Sequence, residues 1–273
     1  MAAAAGKSLT VGLAGLGAIG TTLAQRLHAG IGGLRLAAVA ARDEARAARR
    51  LAELGIDAPV VALAELPRRA ALVVEAIPAA HFRAVAEPAI DAGRILLALS
   101  AGALLDNLDL VDRAAATGAR IIVPTGALLG LDAVRAAAKG EIASVRMVTR
   151  KPPAGLAGAP YLEERQISLK GLTAPLRVFE GTARDGARGF PANVNVAAAL
   201  ALAGIGPDRT RLEIWADPTV TRNTHTIELE SDSARLRMTI ENIPSENPRT
   251  GRITALSVIA CLEGLVSPLR VGS

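Results

Sequence analysis

The sequence predicts an α/β protein in which a doubly wound parallel sheet is followed by a second, α+β domain with a mostly antiparallel sheet. Up to residue 120, short runs that are apolar on both faces alternate with helical stretches, as strands of a helix-covered parallel sheet do. Beyond residue 120 the strands alternate polar with apolar residues, which describes a sheet with one wet face. Composition agrees: hydrophobic residues make up 51% of the 273 residues but aromatics only 2%, so the core has to be built from Ala, Val, Leu and Ile in close layers. A chain of this length can bury two cores of ordinary size.

The elements follow in order. "SLTVGLA" (8–14) reads as a buried strand, and a helix runs from Ile19 to near Gly30. "LRLAAVAA" (34–41) is a second strand, followed by a helix that stops at Gly55. After "VVAL" and the helical or turn segment "AELPRRA" come the strand "ALVVEAI" (71–77), a helix through "HFRAVAEPAIDAG" and the strand "ILLALS" (95–100). The first domain is therefore set at 1–120. The second, at 121–245, contains the alternating strands "ASVRMVTRKP", "RLEIWADP", "THTIELES" and "ARLRMTIENI". The last stretch, 246–273, holds an apolar helix at 252–265 expected to pack back on the first domain.

Composition also excludes several function classes. The net charge is +5, but basic residues are interleaved with acidic ones and few aromatics are available for base stacking, so nucleic acid is not the expected partner. A metabolic anion or phosphate-bearing ligand fits better. The longest apolar stretches, 71–80 and 95–105, are too short or too interrupted to span a bilayer, and the first residues lack a signal-peptide pattern, so a cytoplasmic protein without membrane contact is expected. One cysteine, Cys261, allows no intramolecular disulfide and no cysteine-clustered metal site. Its neighbours suggest a buried helix position.

The motif "GLGAIG" joins the first strand to the first helix and has the spacing that a dinucleotide needs. Gly15 permits the tight turn, Gly17 lets a pyrophosphate approach the backbone, and Gly20 lets helix and strand pack closely. Ala18 and Ile19, between them, open the helix whose free N–H groups face the phosphate. The second strand ends "AVAARDE", with no acid where one would bind the adenosine ribose and Arg42 in place to meet a 2′-phosphate. NADP use, or dual use, is expected over strict NAD use. Arg46, Arg49 and Arg50 read instead as the solvated face of a helix.

Three histidines are present. His28 suits a helix C-terminus, and His81 lies at a strand-to-helix turn. His225, in "TRNTHTIE", stands where a polar turn enters a strand of the second domain, beside Arg222, Asn223 and Thr224. Imidazole is the natural proton acceptor near neutral pH. Asn193 and Asn195 precede an apolar helix, where one could cap it and both could offer carboxamides to a ligand. Gly126 in "VPTGALLGLDA" makes a turn whose backbone can come close to a bound molecule.

Taken together, "GLGAIG", "VVEAIP", "LSAGAL", "VPTGALLGLDA", "TRKPP", "FEGTARDGARGFPANVNVAAALALAGIG" and "ADPTVTRNTHTIE" resemble the L-aspartate dehydrogenase family over almost the whole chain. The resemblance implies a Rossmann domain, a second domain carrying the substrate site and a homodimer contact, and NAD(P)-dependent oxidative deamination of L-aspartate. It also implies His225 as the active-site residue and cofactor contacts at Ala127 and Asn195, with Asn193 close enough to leave the choice of asparagine open. Thr125 stands where the family often has Ser. Chemically, removing hydride from the amino acid's Cα requires a neutral amine, and His225 is the candidate base. The substrate carboxylates need cationic or N–H partners: Arg222 is the nearest candidate, with Asn193 and Thr224 beside it and Lys151 and Lys170 as weaker ones. No metal is called for. The residues alone leave open another amino or hydroxy acid, an imine reductase, or a non-catalytic NAD(P)-binding regulator.

Overall fold

The computed structural model describes residues 8–191, 194–243 and 251–272. By internal contact, the chain forms two compact units. Unit 1 comprises residues 1–100, 107–124 and 255–271, and unit 2 comprises 101–106, 125–254 and 272–273.

Unit 1 contains β1 (Leu9–Ala14), α1 (Ala18–Ala29), β2 (Leu34–Ala40), α2 (Glu44–Glu53), α3 (Leu66–Arg69) and β3 (Leu72–Glu75). These are followed by α4 (Phe82–Asp91) and β4 (Ile95–Ala98) and, after the short α5 (Ala101–Leu105) of unit 2, by α6 (Asp109–Thr117) and β5 (Arg120–Ile122). The five strands are all parallel and ordered β2-β1-β3-β4-β5. A single parallel bridge, Val39 to Val60, lies outside β2. Counted as a vestigial strand it extends the order to the 3-2-1-4-5-6 pattern of a dinucleotide-binding sheet. The strands read as continuous apolar runs because helices cover both faces: Val11, Leu13, Leu72, Val74 and Leu97 are at most marginally accessible, and Leu23, Leu27 and Leu51 pack on them.

Unit 2 adds α7 (Leu131–Ala137), β6 (Ile142–Lys151), α8 (Pro160–Glu164), β7 (Leu176–Thr182), α9 (Ala183–Gly189), α10 (Asn195–Ala203), β8 (Thr210–Ala216), β9 (Asn223–Ser231) and β10 (Arg235–Asn242). Its sheet runs β10-β9-β6-β8-β7. Three of the four pairings are antiparallel, while β6 and β8 are parallel because the chain between them crosses over through β7, α9 and α10. Along β6 and β9 alternate side chains are buried, including Val145 and Met147 on one strand and Ile227 and Leu229 on the other. The opposite face is wet and carries ion pairs across strands, with Arg146 reaching both Glu213 and Glu228 at 2.7 Å. Three of the five aromatics, Tyr161, Phe179 and Phe190, form one cluster with ring centroids 5.3–5.6 Å apart.

The final helix, α11 (Ile253–Val266), buries Val258, Ile259 and Leu262 in the hydrophobic core of unit 1, among β1, α1 and β2 side chains. Cys261 on this helix is only half-buried. Among the described residues, no helix is long and apolar enough to cross a membrane.

Candidate functional site

The carboxyl ends of the parallel strands carry the loops of unit 1, and the glycine turn sits after β1. Gly15 has φ +102°, and a Cβ there would lie 2.4 Å from the Ala76 carbonyl oxygen. At Gly20 a Cβ would lie 2.1 Å from the Gly15 oxygen. Both glycines are thus required by the protein's own packing. Gly17 differs: its backbone is extended, and a Cβ would meet nothing within 4 Å. Gly17 is the N-cap of α1 with no side-chain cap, Ala18 is exposed and Ile19 half-buried beside it, so the free helix N–H groups face open space. A turn with room above its bare backbone, at a helix N-terminus, fits a dinucleotide pyrophosphate.

Arg42 is exposed in the loop after β2. The neighbouring Asp43 caps α2, its carboxylate accepting the Arg46 N–H at 2.9 Å. Arg46, Arg49 and Arg50 lie on the exposed face of that helix, with Arg50 paired to Glu53 at 3.2 Å. His28 and His81 are both exposed.

The end of β3 holds Glu75, a fully buried carboxylate that sequence reasoning did not single out. It accepts hydrogen bonds from the Ser100 N–H (2.9 Å) and hydroxyl (3.0 Å), and from the N–H groups of Leu99 (3.2 Å) and Ile77 (3.3 Å). Burial pushes its pKa above the usual carboxylate range despite those donors. It ties the loop after β3 to the loop after β4.

In unit 2 the apolar face of the sheet ends in two polar rows. His225 on β9 lies opposite Thr149 on β6 and Ile240 on β10. One step further, Asn223 lies opposite Asn242, and continuing the β6 register by two residues puts Lys151 level with Asn223. All five polar side chains point to the buried face, and their residues are only 2–4% exposed. Gly155, which follows β6, packs beside both Lys151 and Asn223: a Cβ there would lie 3.9 Å from each.

His225 Nδ1 is 3.1 Å from Thr149 Oγ1. Burial, and secondarily the Lys151 charge, push the imidazole pKa down to about 3. The ring is therefore neutral throughout the physiological range, with one ring nitrogen carrying a free lone pair. Burial also lowers Lys151, to about 8, which leaves it mostly charged at neutral pH. A buried cation next to a neutral imidazole suits a ligand that brings both a carboxylate and a proton to be removed.

The other expected residues are distributed differently. Thr224 is out of phase with His225 and faces the opposite side of the sheet, because side chains alternate along a strand. Arg222 is half-exposed, 3.8 Å from Glu241, and does not lie on the buried face with His225. Asn195, the first residue of α10, does not cap its own helix; its Oδ1 accepts the Gly102 N–H at 3.0 Å, joining α10 to α5. Asn193 lies outside the described residues. Ala127 is in a turn where Leu128 N–H meets Thr125 O and Gly126 has φ +66°, and the Ala127 carbonyl accepts Asn242 Nδ2–H at 2.8 Å. Lys170 lines a cavity of about 540 Å³ within unit 2, together with Pro153, Leu162, Ile167 and Leu169.

A phosphate-ready glycine turn on a parallel sheet and, in the other unit, a buried proton acceptor beside a cation are the requirements of a nicotinamide-dependent dehydrogenase. Residues 15–124 match the family model described as homoserine dehydrogenase, NAD binding domain, and residues 132–265 match that of aspartate dehydrogenase, C-terminal. The chain is 58% identical to L-aspartate dehydrogenase 3 of Bordetella bronchiseptica, over 98% of each chain. It is 56% identical to the L-aspartate dehydrogenase of Bradyrhizobium diazoefficiens, over 98% of this chain and 96% of that one. The crystal structure of aspartate dehydrogenase from Thermotoga maritima shares its fold, with a TM-score of 0.74 at 24% identity over 97% of this chain and 99% of that one. The chain belongs to the L-aspartate dehydrogenase family, and unit 1 contains its NAD(P)-binding domain.

Proposed function

We propose that this protein oxidises L-aspartate with NAD(P)⁺ to iminoaspartate, which water converts to oxaloacetate and ammonia, and that the reaction is reversible. The observation that carries this reading is the buried polar end of the second sheet, where His225, Thr149 and Lys151 share one face with Asn223 and Asn242. The names of the relatives that match the full length of the chain agree with it.

In this reading Lys151, rather than Arg222, anchors a substrate carboxylate. It shares the buried face with His225, whereas Arg222 is half-exposed. His225 takes the proton from the substrate ammonium, leaving the amine lone pair to form the C=N bond as hydride leaves Cα. Bound NAD(P)⁺ supplies the hydride acceptor. Nδ1–H is taken as the donor to Thr149 Oγ1, one of the two directions this contact allows and the one that leaves Nε2 bare to accept that proton. Burial is the larger cause of the lowered imidazole pKa; a carboxylate on Lys151 offsets the smaller one, the Lys151 charge, and shifts His225 toward higher basicity by that part alone. The imidazolium then releases its proton to solvent. The neutral ring takes a proton from the water that adds to the iminium carbon and passes it to the carbinolamine nitrogen, so that ammonia leaves and oxaloacetate remains.

Arg42 supports NADP or dual cofactor use: it lies exposed beyond β2 while Asp43, the nearest acid, is committed to its helix cap. Ala127 and Asn195 are kept as cofactor contacts on the family resemblance, which also carries the homodimer and the cytoplasmic location. The test is to follow NAD(P)H absorbance on adding L-aspartate or other amino acids to the purified protein, with each cofactor in turn. L-Aspartate is the expected substrate, and His225→Ala binds cofactor as the wild type does but loses turnover. Absence of L-aspartate turnover in both directions overturns the reading.

A further inference from the structure

Asn242 was not part of any motif, yet it stands in the same buried row as Asn223 and Lys151, at the end of β10 and one row from His225. Its side chain is split between two tasks. The group facing Ala127 must be the NH₂, because Ala127 offers a carbonyl, and that bond is 2.8 Å. The Oδ1 is therefore fixed as the other arm, and it is a buried oxygen without a hydrogen-bond partner among the described residues. Buried amide oxygens are almost always paired, so an orphan in a polar row, here packed beside Gly251, calls for a donor that the described residues do not supply.

The chemistry of the row restricts that donor. Oδ1 can only accept, which excludes a carboxylate as its partner. Lys151, in the same row, is the group suited to a carboxylate, and His225 is the group suited to a proton. We infer that Asn242 is a specificity-determining residue whose Oδ1 accepts a hydrogen bond from the α-amino group of the bound amino acid, while its Nδ2 holds the Ala127 turn. This rests on the reading of the protein as an amino-acid dehydrogenase. Lys151 then reads the acid, Asn242 the amine and His225 the proton, and a ligand lacking the amine leaves one acceptor unpaired. A site built to hydrogen-bond an N–H discriminates strongly against the analogue without it.

The experiment compares KM for L-aspartate with the competitive inhibition constant of succinate, the same dicarboxylate without the amine, and measures NADH affinity separately by fluorescence. Wild-type turnover of L-aspartate is scored first: its absence defeats the functional reading, and its presence leaves Asn242 to be judged on the ratio alone. Asn242→Leu is expected to raise KM for aspartate about tenfold or more, as loss of a charge-assisted hydrogen bond does, with the succinate constant within about twofold of wild type; both constants are read at saturating cofactor, because the variant also loses the bond to the Ala127 turn. Asn242→Asp keeps an acceptor but loses the donor to Ala127, so it should preserve the preference for aspartate over succinate; it decides the question alone if the leucine variant does not fold. The inference is overturned if Asn242→Leu, at saturating cofactor, shifts aspartate and succinate equally or neither, or if Asn242→Asp abolishes the preference.

Discussion

Lys151→Met tests the carboxylate anchor most directly, and succinate is the best probe because it brings no titrating amine. Burial holds Lys151 at about 8. From that value, about nine-tenths of the free protein carries the charge at pH 7 and about one-tenth at pH 9, so the succinate inhibition constant should weaken about tenfold across that interval. Methionine has similar reach but no charge. Losing a hydrogen bond to a charged partner removes about 1.5–3 kcal/mol, which corresponds to about 10- to 150-fold weaker binding at pH 7. The variant's profile between pH 7 and 9 should also be flat. Stability provides an internal control. Because the folded-state pKa of Lys151 lies below its ordinary value of 10.5, the wild type loses stability as pH falls from that value through about 8, and the variant lacks this loss. Lys151→Met should therefore be at least as stable as wild type in urea at pH 7, in line with the behaviour of buried charges replaced by apolar groups of similar volume. A wild-type succinate constant that is flat from pH 7 to 9, or a variant that still binds succinate within twofold of wild type, refutes the assignment.

Four further outcomes are expected. Gly17→Ala should leave thermal stability unchanged, because its Cβ meets no protein atom, yet weaken NADH binding in a fluorescence titration by tenfold or more; Gly20→Ala, whose Cβ would sit on the Gly15 carbonyl, should instead fail in stability. Thr149→Val removes the partner that sets the His225 tautomer, so kcat should fall about tenfold with little change in KM for aspartate, an energy in the range of one neutral hydrogen bond. Arg42→Ala should weaken NADP binding and leave NAD binding alone, read by titrating each cofactor. Glu75→Ala leaves the N–H groups of Leu99 and Ser100 without their acceptor and should lower the urea unfolding free energy by about 2–5 kcal/mol.

Much of unit 1 was legible because its signals are local. Apolar runs bounded by helices announce a parallel sheet, and a glycine fingerprint needs only one strand-to-helix turn to be recognised. The limits appear where meaning depends on a partner strand. Polar alternation in β6 and β8 reveals a wet face but is indifferent to pairing direction, so the parallel β6–β8 pair was invisible. The sequence does not announce β7 as a strand: of its "LRVFEGT" only "FEGT" stands out, as the start of a longer motif. The sequence ranks Lys151 below Arg222 as a carboxylate partner, since lysines are seldom buried. Its phase says otherwise: Val145, Met147, Thr149 and Lys151 all fall on one side of β6, and Asn223 and His225 share a side with Ile227 and Leu229 on β9. The same phase separates Thr224 from His225. Glu75 was hidden inside an apolar run, where nothing but the fold reveals the Ser100 donors waiting for it.

The return of α11 has a consequence for how the molecule is made. Val258, Ile259 and Leu262 complete a core whose other buried members lie between Val11 and Leu97, with residues 101–106 and 125–254 of unit 2 encoded in between. Because synthesis proceeds from the N-terminus, the nucleotide-binding unit is begun first and finished last. Until the final helix emerges from the ribosome, its apolar seat on the sheet stays open and vulnerable to aggregation. A nascent chain that stalls before residue 253 would carry a complete glycine turn on an incomplete unit, and excising residues 1–124 as an independent domain would reproduce that state permanently.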